Sequence, residues 1–129
     1  MAFPDALALL RTYLLPIVTP RPVAARVDDP RAQEWVQLRL VNTSQLRPVR
    51  VRPRIDIYAW AATETEAWTL GELVYRSVHA LAGTTLLGPM CYEVEEFLGP
   101  RQAVDALTGT PRIWMTLAPV IRANDAISL

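Results

Sequence analysis

The sequence predicts a two-layer α+β domain: a mainly antiparallel or mixed sheet with two helices packed on one face, in the order α-β-β-β-α-β-β. Two observations carry this. Segments 34–42 (EWVQLRLVN) and 49–60 (VRVRPRIDIYAW) alternate apolar and polar residues with period two, as strands buried on one face do. An all-parallel sheet would show continuous apolar runs instead. Directly after the second segment, Thr63 and Glu66 form a T-x-x-E capping box that opens a helix. Helices laid on one side of the sheet would bury its apolar side chains.

Taken in order, Pro4 and Asp5 open a helix in which Leu7, Leu10 and Leu14 recur at helical spacing and which is expected to stop before Pro16. Pro16, Pro20 and Pro22 then predict a stiff, extended connection. Residues 23–27 make a short strand and DDPR at 28–31 a turn. In 34–42, Trp35, Gln37 and Arg39 share one side, with Val36, Leu38 and Leu40 on the other. A loop is expected at 43–48. In the long strand 49–60, Pro53 lacks a ladder donor and so predicts an edge or a bulge. The capped helix should run to about residue 82, burying Ala67, Leu70, Val74, Ser77, Val78 and Leu81, and end at Gly83. Strands at 91–98 and 112–121 flank a long loop, 99–111, a second candidate contact expected to order on assembly.

The 129 residues fit one domain, 1–129, with a C-terminal tail at 123–129. Formal charge is zero, which removes any global electrostatic argument for nucleic acid or an anionic membrane as partner. Every basic residue is arginine, a side chain suited to planar interface contacts. A lone cysteine, Cys91, excludes an intrachain disulfide and predicts a reducing compartment. The N-terminal apolar stretch carries Asp5 and no preceding basic residues, so it reads as a docking helix and not a signal peptide. No apolar run approaches the roughly 20 residues that span a bilayer, and a soluble, intracellular protein is expected.

Local catalytic arrangements are not apparent. His79, the single histidine, has only Ser77 nearby, two residues away and facing elsewhere on the helix; a solvated helix histidine is expected. Cys91 reads as a buried, inert thiol. Glu93 and Glu95 share a strand face by simple alternation, whereas acid–base pairs need carboxylates in unlike environments. The glycines are dispersed and match no phosphate loop. No catalytic, cofactor-binding or metal-binding residues are therefore assigned.

The unusual surface is the second face of the long strand. Arg50, Arg52 and Arg54 fall on the same side as Asp56 and Tyr58, in the chain's one basic cluster with Arg47. Two readings stand side by side: an interface, or cross-strand pairing with Glu93 and Glu95 inside the sheet. Trp35 and Tyr58 lie on the polar sides of their strands, and exposed aromatics beside arginine have the composition of interface cores.

The order of motifs also resembles a known family. The strand Ile55-Asp56-Ile57-Tyr58-Ala59-Trp60-Ala61, the capped helix ending in VHALAG, the strand closing on Gly99-Pro100, the loop with Asp105 and Thr108-Gly109, and Pro111-Arg112 opening the last strand are similar to the tail terminator (tail completion) proteins of long-tailed bacteriophages, particularly those of actinobacteria. The resemblance spans roughly residues 1–122; Pro53 and the segment RPVRVRPR depart from its pattern. It implies a small α/β subunit of a ring, typically hexameric, at the head-proximal end of the tail tube. Such a ring stops tube polymerisation and joins the head connector. Expected partners are further copies of the chain, the tail tube protein and a head–tail connector or adaptor, with phage DNA passing through the lumen without sequence-specific binding and no membrane. The expected location is the virion neck, after assembly in the host cytoplasm. The family brings no catalytic residues. The candidate contact residues are Arg50, Arg52, Arg54, Asp56, Tyr58 and Asp105. Alternatives are another neck component, such as a head-completion adaptor, or a small ligand-binding or enzymatic α+β domain with a concave pocket.

Overall fold

The computed structural model describes residues 5–25, 34–46 and 49–123. Pro4, Val27, the 28–31 turn, Arg47 and the tail from 124 onward lie outside them. Helix α1 (Ala6–Val18) starts at Asp5, whose side chain accepts the Ala8 N–H at 3.1 Å. It buries Ala6, Leu10, Leu14 and Val18, one residue per turn. Contrary to expectation, the helix passes through Pro16. Proline deletes one backbone donor, but here it sits in the last turn, and the fully buried Val18 holds that turn on the core. The stiff connection is correspondingly shorter, Thr19 to Pro22, with a cis Thr19–Pro20 bond.

Strand β1 (Val23–Ala24) pairs in parallel with β2 (Trp35–Leu46), and β2 pairs antiparallel with β3 (Arg50–Trp60). Much of the expected 43–48 loop is strand: Thr43 to Leu46 pair with Pro53 to Arg50. Cross-strand pairing outweighs the polar composition of this stretch. A register shift between Leu40 and Asn42 breaks the simple alternation of β2.

Helix α2 (Glu64–His79) begins at the expected N-cap, Thr63, whose hydroxyl oxygen accepts the Glu66 N–H at 3.2 Å; the Glu66 carboxylate turns back as expected but accepts the Thr63 hydroxyl, at 3.1 Å. It buries Ala67, Leu70, Gly71, Val74 and Val78. Ser77, expected among them, is half-buried; its carbonyl accepts the Tyr13 hydroxyl of α1 at 2.7 Å and ties the two helices together. The helix ends at His79, short of 82, and Gly83 takes a left-handed φ of 83° in the turn that follows. Gly71 allows α2 to lie close to the sheet, since a Cβ there would meet Ile113 Cγ2 at 3.0 Å.

A two-residue strand that the sequence did not suggest, β4 (Thr84–Thr85), precedes β5 (Met90–Gln102) and β6 (Arg112–Arg122). The mixed six-stranded sheet runs β1-β2-β3-β6-β5-β4. Both helices lie on one side, where Ile55, Ile57, Ala59, Ile113, Met115, Leu117 and Ile121 are completely buried against Leu10, Leu14, Leu70, Val74 and Val78. This is the predicted α+β architecture.

Pro53 corrects one expectation. It does not lie on an edge, because β3 is central, between β2 and β6; the irregularity next to it is on the partner strand β2, where the register shifts between Leu40 and Asn42, opposite Ile55 and Arg54. Ladder pairs between β3 and β6 stop at Val51↔Ile121 and resume at Ile55↔Leu117. The register is unchanged across this gap and places Pro53 level with Pro119 of β6. Two residues without N–H groups thus share a single break, and each spares a donor that the other strand would have to satisfy.

Candidate interface on the open sheet face

Alternation along β3 sends every second side chain away from the helices. Arg50, Arg52, Arg54, Asp56, Tyr58 and Trp60 emerge there, all partly exposed, while Val51, Pro53, Ile55, Ile57 and Ala59 are buried between them. Neighbouring strands add to the same face by direct register. Arg39 of β2 lies opposite Asp56, and Arg112 and Arg122 of β6 lie opposite Trp60 and Arg50. Arg101 of β5 lies opposite Trp114. Among the described residues, neither helix crosses this face.

The face is built as an ordered layer of arginines on rings. Trp35 stacks on Trp60, centroids 5.6 Å apart and planes 8° from parallel; Tyr58 stacks on Trp114 at 6.0 Å and 12°. The Arg112 guanidinium sits over Tyr58 at 4.7 Å and Trp60 at 5.0 Å. Towards the other end of β3, Arg50 lies over Tyr92 at 3.9 Å and Arg54 over Phe97 at 4.3 Å. Cation–π contacts of this kind hold long side chains in place. They also hide the floor of the face: Ala118, Val120 and Thr116 are almost wholly buried although no helix covers them. Trp35, expected to be exposed, is buried through its stack with Trp60.

Carboxylates pin this layer. Asp56 Oδ1 accepts the Thr116 hydroxyl at 2.6 Å and the Trp114 indole N–H at 3.3 Å. Arg52 donates to Glu95 Oε2 at 2.9 Å. Because β6 separates β3 from β5, that pair bridges two strand spacings, roughly 10 Å, and the small Ala118 beneath lets it close. The cross-strand pairing reading is thus realised for Arg52, and the interface reading remains for Arg50 and Arg54, which have rings beneath them and no described carboxylate partner. Tyr58's hydroxyl is pushed up from its ordinary value by burial first and by Asp56 second, with Arg112 and Arg39 opposing.

Asp105 lies apart from this layer, on the connection between β5 and β6. Strand β5 extends to Gln102, so the connection spans only 103–111. A turn within it is held by its own hydrogen bonds. Asp105 Oδ2 accepts the Thr108 N–H at 3.1 Å and hydroxyl at 2.6 Å, and its carbonyl accepts the Gly109 N–H at 2.8 Å. The Thr108 hydroxyl bond is the main reason its carboxyl lies below the ordinary range. At the tip, Leu107 is 95% exposed.

No family model matches the chain, and the search of curated proteins returns no match. The candidate residues therefore rest on their own geometry.

Sequence reading missed Tyr92, Phe97 and Arg112 as members of the face. A register shift between Cys91 and Glu93 puts Tyr92 on the same side as Glu93 and Glu95, whereas Glu93 to Glu96 keep regular alternation, so that adjacent Glu95 and Glu96 point to opposite sides. Glu96 turns to the helix side, where it accepts the Tyr75 hydroxyl at 2.5 Å and meets His79 Nε2 at 3.3 Å. Tyr75 and His79 also touch edge to face at 4.6 Å, so His79 is held in a cluster and is not simply solvated. The bond to Glu96 pushes the Tyr75 hydroxyl up. Cys91 is buried, and desolvation pushes its thiol up to about 11. Among the described residues no group of three or more His, Cys, Asp and Glu could hold a metal ion, and no helix is long and apolar enough to cross a membrane. A cavity of about 260 Å³ lies between α1 and the β1–β2 edge, lined by Leu7, Ala8, Arg11 and Leu38. Among the described residues only Asp5 and Arg11 bring charge to it, too little convergent polarity for a specific small-molecule site.

Proposed function

We propose that the chain is a structural assembly protein, a phage tail terminator that caps the head-proximal end of the tail tube as a ring, stops its polymerisation and joins it to the head connector. The observation that carries this is the sheet face that no helix covers among the described residues, where arginines are held on aromatic rings along the full length of β3. Anchoring removes much of the side-chain entropy that association would otherwise cost. Arginine and aromatic residues are also those that dominate interface energies. The order of motifs described above supports the phage setting, and nothing in the reading requires catalysis.

Two measurements test it. Light scattering of the purified chain over a range of concentrations is expected to give a discrete species of about six copies, as a closed head-to-tail ring requires. In a phage lacking the chain, tails are expected to be overlong. Tails of normal length with leaking heads would instead assign the chain to a connector adaptor and overturn the terminator reading.

A further inference from the structure

We infer that the open sheet face of one copy receives the outward ridge of α2 from a second copy, head to tail. The inference rests on the reading of the chain as a self-assembling subunit and names the two surfaces that meet; it does not depend on the phage setting.

The chain carries no net charge, yet its charges are segregated. The open face is cationic, with Arg39, Arg50, Arg54 and Arg112 outnumbering the carboxylates of that face, Asp56, Glu93 and Glu95, of which Glu95 and Asp56 are already engaged. The outward side of α2 is acidic and apolar. Glu64, Trp68, Glu72 and Arg76 form one row at four-residue spacing, all exposed; Arg76 meets Glu72 at 3.5 Å, a solvent-screened pair that a partner's arginine would compete with, and Glu64 has no described cationic partner. Trp68, in that row, is 37% exposed, a large apolar group turned away from the helix's own core; Leu73, 38% exposed, lies about 140° further round the helix and outside the row. Tryptophan so placed is the commonest anchor of a protein interface.

Dimensions agree as well as charges. Glu64 and Glu72 are separated by eight helical steps, about 12 Å. Arg50 and Arg54 are separated by four strand steps, about 13 Å. Both guanidiniums lie over rings, which occupies one π face of each and leaves their exposed terminal N–H donors for a carboxylate. The two surfaces lie on opposite sides of the sheet and so never meet within one copy. Contact between copies is therefore heterologous, and it closes as a ring or continues as a filament according to its rotation.

A polyanion is the other occupant to consider, since arginines and aromatics on a sheet can bind single-stranded nucleic acid. Such platforms need free ring faces on which bases stack. Here Trp35, Trp60, Tyr58 and Trp114 stack on one another and Arg112 covers two of them, which favours a protein surface.

The test uses complementary charge reversals read by light scattering of the whole chain. Arg50→Glu with Arg54→Glu gives an acidic sheet face; Glu64→Arg with Glu72→Arg gives a basic helix ridge. Wild type is expected to associate, and each variant alone to do so at least about tenfold more weakly. Their equimolar mixture should regain the wild-type mass, because every contact in an alternating assembly is again between opposite charges. Circular dichroism and melting confirm that each variant is folded. Should the helix variant fail to fold, Trp68→Ala removes the ridge's apolar anchor without changing charge and is expected to weaken association at least as much. The inference is overturned by a wild type that stays monomeric at all concentrations, by folded variants that associate as wild type does, or by a mixture that fails to recover. Binding of oligo-deoxythymidine that is lost in the sheet variant, with no change of mass, would assign the face to nucleic acid and overturn it too. Recovery in the mixture together with normal tails in the phage experiment would leave the contact standing and remove only the terminator reading.

Discussion

The two faces of strand β3 are made by alternate residues of one segment, yet they solve different problems. On the helix side, Ile55, Ile57 and Ala59 meet Ile113, Met115 and Leu117 of β6, all aliphatic and all fully buried. On the open side, Arg54, Asp56, Tyr58 and Trp60 meet Trp114, Thr116 and Ala118, and burial there is produced by the side chains lying over one another. The first face needs only volume and apolarity, which any well-packed core supplies. The second is held by directional contacts, cation–π pairs and shared carboxylate bonds, which leave a polar surface in a fixed arrangement. The contrast separates what stabilises the chain from what, on the proposed reading, it presents to a partner.

The largest effect should come from the covered face. Leu117→Ala, at a position with no solvent exposure, is expected to cost about 2–5 kcal/mol in urea or thermal unfolding, through lost burial and the cavity left behind. A cost under about 1 kcal/mol would mean that the helix-side core is not the source of stability. Cys91 reports on the same face by a different route. Its thiol, pushed up to about 11 from 9.0, should alkylate about a hundredfold more slowly at pH 8 in the folded chain than in urea, before any steric protection. The sign for stability follows. The folded form holds its proton to higher pH than the unfolded form, so this contribution is complete below about pH 9 and is lost as pH rises towards 11. Equal alkylation rates in the two states would show that the Cys91 side of the sheet opens readily.

The open face should respond more weakly. Thr116→Val removes the hydroxyl that Asp56 accepts at 2.6 Å, leaving the carboxylate with only the longer indole bond. The expected loss is about 1–2 kcal/mol, the cost of an under-satisfied, partly buried acceptor. A neutral substitution would mean that water replaces the hydroxyl and that the face is looser than its hydrogen bonds imply.

The division between the faces was legible where the backbone is regular. Strict alternation in 49–60 placed Arg50, Arg52, Arg54, Asp56 and Tyr58 together, and Thr63 with Glu66 set the start of α2 correctly. Legibility failed where long-range pairing overrode local signals. Pro16 reads as a helix stop, but burial of Val18 carries α1 past it. Pro53 reads as an edge marker, but Pro119, 66 positions later, shares its break in the ladder. In β5, the register shift at Cys91/Glu93 depends on the partner strand, so no periodicity could have assigned Tyr92 to the open face; Phe97 and Glu96 follow the alternation set by Glu93 and Glu95, and what the sequence could not show is which strand β5 lies beside. Asp105 was legible as a loop residue; its bonds to Thr108, which hold a turn in the loop, arise from turn geometry that composition only hints at.

The smallest expected effect divides the faces most sharply. Arg52 and Glu95 form the best ion pair of the open side, 2.9 Å long, yet their side chains remain 29% and 35% exposed. Solvent screening should hold its net contribution below about 1 kcal/mol. A double-mutant cycle with Arg52→Ala, Glu95→Ala and the combined variant measures the coupling directly and cancels what each truncation does elsewhere, including the Arg52 contact with Phe97 at 5.5 Å. If the open face exists to meet a partner, the same variants should alter association more than folding, because the pair fixes Arg52 in the layer that the partner touches. A coupling of several kcal/mol in folding, with association unchanged, would make this pair part of the core's work and erase the distinction drawn between the two faces.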